Sequence, residues 1–366
     1  MQRRTFLQTL VGGIAASPLV GASPLRLGYD SYSIRAYQWK ALRHIEYAAS
    51  LKLDTAQIAL NDYESLEPAY LAKVKDAADR AGLTLEGGIG CICPTAVSFN
   101  KREGTAEEYT LRGLQACRAV GAKAMRCFLG GMAERRGNVP IDAHIESTIG
   151  VFKNIRTQAQ DLGVKIALEN HNGDLHASEV RYIVEAAGKD FVGVTYDSGN
   201  PMWLLEDPMM SLEILAPYVV TSHFRDSALW ETDKGMNFQW VVLGEGTVDM
   251  PALVARFREL CPQAPMQLEI ITGRPPQVLP CYAGGNEFWK AYPKVTGEHF
   301  ARFAALAKKG RPYAGAMITT TTAKQPSEYD AALKSQQKLD LERSFDYART
   351  KLGAGSKLWK NPAPSG

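Results

Sequence analysis

The chain has 366 residues, 45% of them hydrophobic, and its 42 basic and 39 acidic residues leave a formal net charge of +3. That length fits one large core, such as a barrel of about 250 residues with extensions. The charge balance excludes the electrostatic footprint of a nucleic-acid-binding protein and leaves small neutral or mildly acidic partners open.

The amino terminus reads QRRTFLQ, then TLVGGIAASPLVGAS, an apolar stretch too short to span a bilayer behind the paired Arg3 and Arg4. It resembles a twin-arginine export signal with cleavage after Ala22. Residues 1–22 are therefore set apart from the fold, and the mature protein is expected in the periplasm without a stable membrane anchor. Export of an already folded chain suits a metalloprotein. The six cysteines form no CxxC pair, which excludes a thiolate zinc motif, and buried free thiols are expected.

From residue 25 onward, short apolar runs alternate with helical patterns. The runs are RLGYDSYS, TAQIAL, LTLEGGI, KAMRCFL, VKIALEN, FVGVTYD, YVVTSHF and MQLEII. Between them, residues 70–83, 106–122 and 141–163 repeat apolar side chains at helical spacing and end at Gly82, Gly121 and Gly163. Eight βα repeats predict an α/β fold closed as a (β/α)8 TIM barrel over residues 25–310. Residues 228–243 predict a hairpin after the seventh strand, and Asp249 is placed to cap the next helix. The Pro- and Gly-rich ITGRPPQVLPCYAGG is expected as a shaped wall over the site or a stiff crossing. Residues 311–366 form a C-terminal extension with one helix near 328–352, an arm lying on the barrel or on a second subunit, which leaves homo-oligomerisation open.

Strands five to eight finish on Glu169, Asp197, His223 and Glu269. In a TIM barrel those ends converge on the face where active sites are built. Unpaired acids gathered there would repel one another without a cation. Three carboxylates and one imidazole suit one divalent metal ion, Mn²⁺ first, with Mg²⁺, Co²⁺ or Zn²⁺ as alternatives.

This quartet, with ENH after strand five and HFRD after strand seven, resembles the xylose isomerase-like TIM-barrel superfamily, in particular its sugar isomerase and ketose 3-epimerase branch. The resemblance implies that all four residues bind one cation, that Glu169 and Glu269 also move protons, and that Arg225 contacts a substrate oxygen. Asn200 stands where the ketose epimerases are expected to carry histidine, a departure from a free-ketohexose pattern. The ends of strands two and three lack the extra histidines of the DNA-repair members. His171, Glu86, Arg126, Asn200 and Trp203 complete the candidate substrate contacts; a buried Glu86–Arg126 pair is the competing reading for those two. Trp230 and Trp240 also fall in the loops over the site.

The chemistry expected is removal of a proton beside a carbonyl of a sugar-like or glycoside-derived small molecule, through an enediolate. Two carboxylates on opposite sides of one carbon invert it; a single carboxylate moving the proton between carbons isomerises. Expulsion of a β-substituent from a 3-keto-glycoside needs the same groups. A barrel that captures a sugar through a metal without turnover is the alternative of another class.

Overall fold

The computed structural model describes residues 24–320 and 323–357. The twin-arginine segment lies outside the described residues. The strands in chain order are β1 (Leu27–Asp30), β2 (Thr55–Ala59), β3 (Thr84–Cys91), β4 (Ala124–Phe128), β5 (Lys165–Glu169), β6 (Val192–Asp197), β7 (Val219–His223), β8 (Asp226–Thr232), β9 (Gly235–Val241), β10 (Met266–Leu268) and β11 (Gln277–Leu279). Eight of them form one parallel sheet in the order β10-β1-β2-β3-β4-β5-β6-β7. The ring closes just beyond β7, where Phe224 bridges Leu268. There the Phe224 N–H donates to the Gln267 carbonyl at 2.7 Å, and the Phe224 carbonyl accepts from the Glu269 N–H at 3.1 Å. The eight predicted runs are thus the eight staves of a TIM barrel.

Burial explains why the runs read as they do. All six residues of β6, VGVTYD, are buried, as expected for a strand with barrel interior on one side and helices on the other. In β1, a Cβ at Gly28 would fall 2.0 Å from Thr55 Oγ1 and 2.3 Å from Gln267 Oε1, so only glycine lets the interior side chains cross there. The connecting helices begin and stop on local signals. Thr105 and Glu108 form a reciprocal capping box before Ala106–Ala119, and Asp249 accepts from the Ala252 N–H at 3.0 Å. Gly82 and Gly163 end their helices with φ of 61° and 63°. The helix predicted over 141–163 is broken into Ile141–Asn154 and Arg156–Leu162 at the buried Ile155, whose φ of −102° and ψ of 4° are not helical.

The hairpin forms as β8 and β9, and the Pro-rich crossing adds β11 to make a three-stranded antiparallel sheet in the order β11-β9-β8. Met202, Leu204, Leu229, Phe238 and Ile271 are buried in a second core between this sheet and the barrel's mouth. Helix Gly297–Lys309 packs on that sheet rather than on the barrel. The C-terminal helix Tyr329–Thr350 lies on β10 and the turn after β1. Its Leu341, Phe345 and Ala348 enter the main core, with Phe345 edge-on to Tyr29 at 6.3 Å. The Ser356 N–H and the Leu27 N–H both donate to Asp54 Oδ2 at 2.8 Å, tying the tail to the first strand. The described part of the extension therefore lies on the barrel, the first of its two expected placements, and it fills the flank where the eighth barrel helix belongs. No described helix is long and apolar enough to cross a membrane.

Candidate metal centre

Each of the four strand-end residues is placed by the strand that carries it, and the neighbouring loop fixes its orientation. At β6, Asp197 Oδ1 caps the turn Asn200–Leu204 by accepting from the Gly199 and Asn200 N–H groups at 2.8 and 2.7 Å, which leaves Oδ2 for the site. Asn170 locks the ends of β5 and β6 together: its Oδ1 accepts from the Asp197 N–H at 2.8 Å and its Nδ2 donates to the Asp197 carbonyl at 2.9 Å. Glu269 sits one residue past β10, at the closure point. One potential ligand atom from each of Glu169, Asp197, His223 and Glu269 lies within 4.8 Å of all the others, and all four residues are buried.

His223 shows which atom faces the cluster. Gln57 Nε2 donates to Glu86 at 3.3 Å, so Gln57 Oε1 is the end that meets His223 Nε2 at 2.6 Å. An amide oxygen only accepts, so Nε2 carries the imidazole proton and Nδ1 is left with its lone pair. Nδ1 is buried without a hydrogen-bond partner, 3.4 Å from Glu269, 3.5 Å from Glu169 and 3.9 Å from Asp197. A lone pair facing three carboxylates fits a cation. Without one, burial opposes charge on His223 but Glu269 and Glu169 raise its pKa well above 6.5. Burial pushes Asp197 up to about 7 against Arg225. Burial would raise Glu269 as well, yet Arg225 and His223 draw it down to about 2.

A cavity of about 350 Å³ opens beside the cluster, lined by Glu269, Arg225, Arg126, His171, Asn200 and Trp240 among others. Arg225 bridges Asp197 and Glu269, with its guanidinium carbon 4.4 Å from the Trp240 ring centroid. Arg126 pairs with Glu169 and lies over Phe128. His171 stacks on Phe128 at 4.0 Å, its Nδ1 is 2.5 Å from the Gly130 carbonyl, and burial lowers its pKa to about 4, so the ring is neutral near pH 7. Asn200 donates to Glu169 at 3.0 Å and leaves its buried Oδ1 without a partner. The two glutamates are not equivalent: Glu269 lines the cavity, whereas Glu169 is fully buried behind Arg126.

Two of the expected substrate contacts stand away from this cavity. Glu86 reaches neither the cavity nor Arg126. It points into the barrel interior, where Thr221 Oγ1 at 2.5 Å, Gln267 Nε2 at 3.0 Å and Gln57 all donate to Oε2. Trp203 is carried away by its turn and packs edge-on against Phe238 at 5.0 Å in the second core. Trp230 is buried with Ala228 and Val241, leaving Trp240 as the tryptophan on the cavity wall. Sequence reasoning also missed Asp30, Tyr32, Asn61, Tyr109 and Arg274 in that wall. Asp30 was within reach, because β1 ends on it just as the later strands end on their acids.

These features define a class: a closed TIM barrel whose carboxyl-terminal mouth holds a buried cluster suited to a divalent cation. The chain belongs to the xylose isomerase-like TIM barrel family, whose sequence model matches residues 45–286. It is 22% identical over 242 residues to a 3-oxo-isoapionate decarboxylase of Pectobacterium atrosepticum, covering 63% of this chain and 79% of that protein. Its fold is similar to that of a D-psicose 3-epimerase solved in the presence of D-fructose, with a TM-score of 0.57, 15% identity, and coverage of 90% of this chain and 100% of the other. A protein named IOLI, solved with a bound zinc atom, aligns with a TM-score of 0.53, 16% identity, and 79% and 100% coverage.

Proposed function

We propose that this protein is a metal-dependent enzyme of the sugar isomerase and epimerase kind, which removes a proton beside the carbonyl of a small sugar-like substrate. The observation that carries the reading is His223 Nδ1, buried without a hydrogen-bond partner among three carboxylates at the edge of an open cavity. Glu169, Asp197, His223 and Glu269 would hold the ion, Mn²⁺ by the hardness of a three-oxygen, one-nitrogen donor set. Bound there, a divalent cation supplies Lewis-acid stabilisation of the negative charge that develops on adjacent sugar oxygens.

The chain's own groups divide the remaining work. Glu269 is the carboxylate with direct access to substrate, the position a general base requires. Arg225 holds Glu269 and Asp197 in place and presents charge to a substrate oxygen. Asn200 offers its free Oδ1 to a hydroxyl, and neutral His171 supplies an uncharged wall. Glu169 reaches substrate only where Arg126 gives way, so one-base chemistry, isomerisation or expulsion of a β-substituent, fits the resting arrangement better than two-base inversion. Loss of carbon dioxide from a 3-oxo acid leaves the same electron-rich carbon, so the similarity to a decarboxylase supports the reading.

The test is incubation of keto-sugars and 3-keto-glycosides with Mn²⁺-loaded protein in deuterated water, read by NMR. Deuterium at the carbon beside the ketone is expected, and it should be lost in Glu269→Gln. Tight sugar binding with no exchange into any candidate would instead establish a binding barrel, and full exchange by both Glu169→Gln and Glu269→Gln would remove the assigned bases.

A further inference from the structure

Charge in the cavity wall is unevenly matched. Arg126 is paired with Glu169, and Arg225 with Asp197 and Glu269. Arg274 also lines the cavity, but among the described residues its guanidinium meets no carboxylate and makes no hydrogen bond. It rests against Trp240, its central carbon 5.4 Å from the ring centroid. Arg35 lies nearby over Tyr32, donating to the Tyr32 carbonyl at 3.2 Å and likewise meeting no described carboxylate. Burial lowers its pKa, and repulsion from Arg274 adds to that. Arg126, Arg225 and Arg274 line the cavity and Arg35 lines the neighbouring one; set against Asp30, Glu169, Asp197 and Glu269, with a divalent ion in the cluster, they leave the barrel's mouth positive.

The segment bearing Arg274 is built to hold it. Gly273 turns the chain with φ of 88°, a conformation open to glycine, and its carbonyl accepts from the Thr320 N–H at 2.7 Å. Gln239 Nε2 donates to the Arg274 carbonyl at 2.9 Å, and Pro275 and Pro276 stiffen the exit. An arginine fixed against an aromatic face, with its fork of donors free, is preorganised for a planar anion. Its cavity is of monosaccharide size.

We infer that Arg274, backed by Trp240 and Arg35, recognises a carboxylate on the substrate, so that the substrate class is a keto-sugar acid rather than a neutral ketose. This rests on the proposed metal-dependent sugar chemistry for its orientation: the cluster takes the carbonyl end and Arg274 the acidic end. A single free guanidinium fork matches a carboxylate better than a phosphate dianion, whose three oxygens call for more donors.

The experiment is calorimetric titration of Mn²⁺-loaded and chelator-treated protein with D-fructuronate, D-fructose and D-fructose 6-phosphate, which differ only at the terminal carbon. The loaded protein is expected to bind D-fructuronate roughly 10- to 100-fold more tightly than D-fructose, the increment of a hydrogen-bonded charge pair. Arg274→Gln should collapse that preference to within about twofold, and Arg274→Lys should keep part of it. Equal affinities, a preference that survives Arg274→Gln, tightest binding of the phosphate, or no binding of any sugar would each overturn the inference. The two readings fail separately. An Arg274-dependent preference in protein that takes up no metal sinks the metal chemistry alone; equal affinity and equal deuterium exchange for D-fructose and D-fructuronate sink the acid recognition alone.

Discussion

Inside the barrel, Glu86 collects three neutral donors, from Gln57, Thr221 and Gln267, on a single oxygen; at the mouth, Glu169, Asp197 and Glu269 crowd around an imidazole nitrogen that has no partner. Both regions bury carboxylates among polar side chains. The interior one is satisfied by groups that carry no charge and need no ligand, which is how a structural acid is accommodated. The mouth concentrates like charges that two arginines only partly offset, an arrangement that makes sense as a cation site. Gln57 connects the two: its amide is oriented by Glu86, and that orientation sets which nitrogen His223 turns to the cluster.

The sharpest break in this comparison is expected at the mouth. Glu269→Gln should lower the rate of deuterium exchange by about 10²- to 10⁴-fold, the range for loss of a general base, while circular dichroism and the thermal midpoint show a folded protein. An exchange rate within a few-fold of the parent would mean that the open carboxylate is as structural as Glu86. Next in size comes the residue between the regions. Gln57→Ala removes the acceptor that fixes the His223 tautomer and should weaken Mn²⁺ binding by roughly 10- to 100-fold in a chelator competition. Unchanged affinity would show that the cluster orients itself without help from the interior.

The mouth was readable in the sequence because its signal is local: an apolar run that stops on a carboxylate or imidazole, repeated over four successive strands, shows in the letters. The pairing of side chains across the barrel is not local. Glu86 lies in an apolar run too, and only the closed geometry shows that it faces Thr221 from the far side of the ring rather than Arg126 next door. Trp203 and Trp240 have the same composition signal. The turn Asn200–Leu204 sets Trp203, partly buried, against the second core, and β9 sets the buried Trp240 in the cavity wall. Three-residue β11 and Arg274 sit in a segment whose prolines and glycines mask any periodicity. The C-terminal helix was visible as a helix, but the sequence of elements does not say where an element docks, and the place it takes beside β10 and β1 was hidden for that reason.

A smaller effect separates the interior on stability alone. Glu86→Ala leaves the Thr221 hydroxyl and two buried amides without their acceptor and should cost about 1–3 kcal/mol in urea unfolding. The competing outcome, a variant as stable as the parent, would mean that these donors find other partners and that the interior polar group is loosely held.

The pH dependence of unfolding gives the finest discrimination, because Glu86 and Glu269 carry opposite signs, while Asp197, which burial holds up to about 7, shares the sign of Glu86. Burial raises Glu86 above its usual 4.5, so the folded state holds a proton there that the unfolded chain has released, and stability falls as pH rises from 4.5 through the folded pKa. Glu269 of the metal-free protein is drawn down to about 2 mainly by Arg225 and His223 against its burial, so its contribution is present above 4.5 and is lost as pH falls toward 2. Glu86→Gln keeps an acceptor oxygen and abolishes the titration of that group, so the decline above pH 4.5 should become shallower, the share of Asp197 remaining, while the acid limb stays as it was. Urea midpoints measured from pH 3 to 8 in the presence of chelator read both limbs at once. A flattened acid limb with an unchanged upper one would assign the two carboxylates the wrong way round.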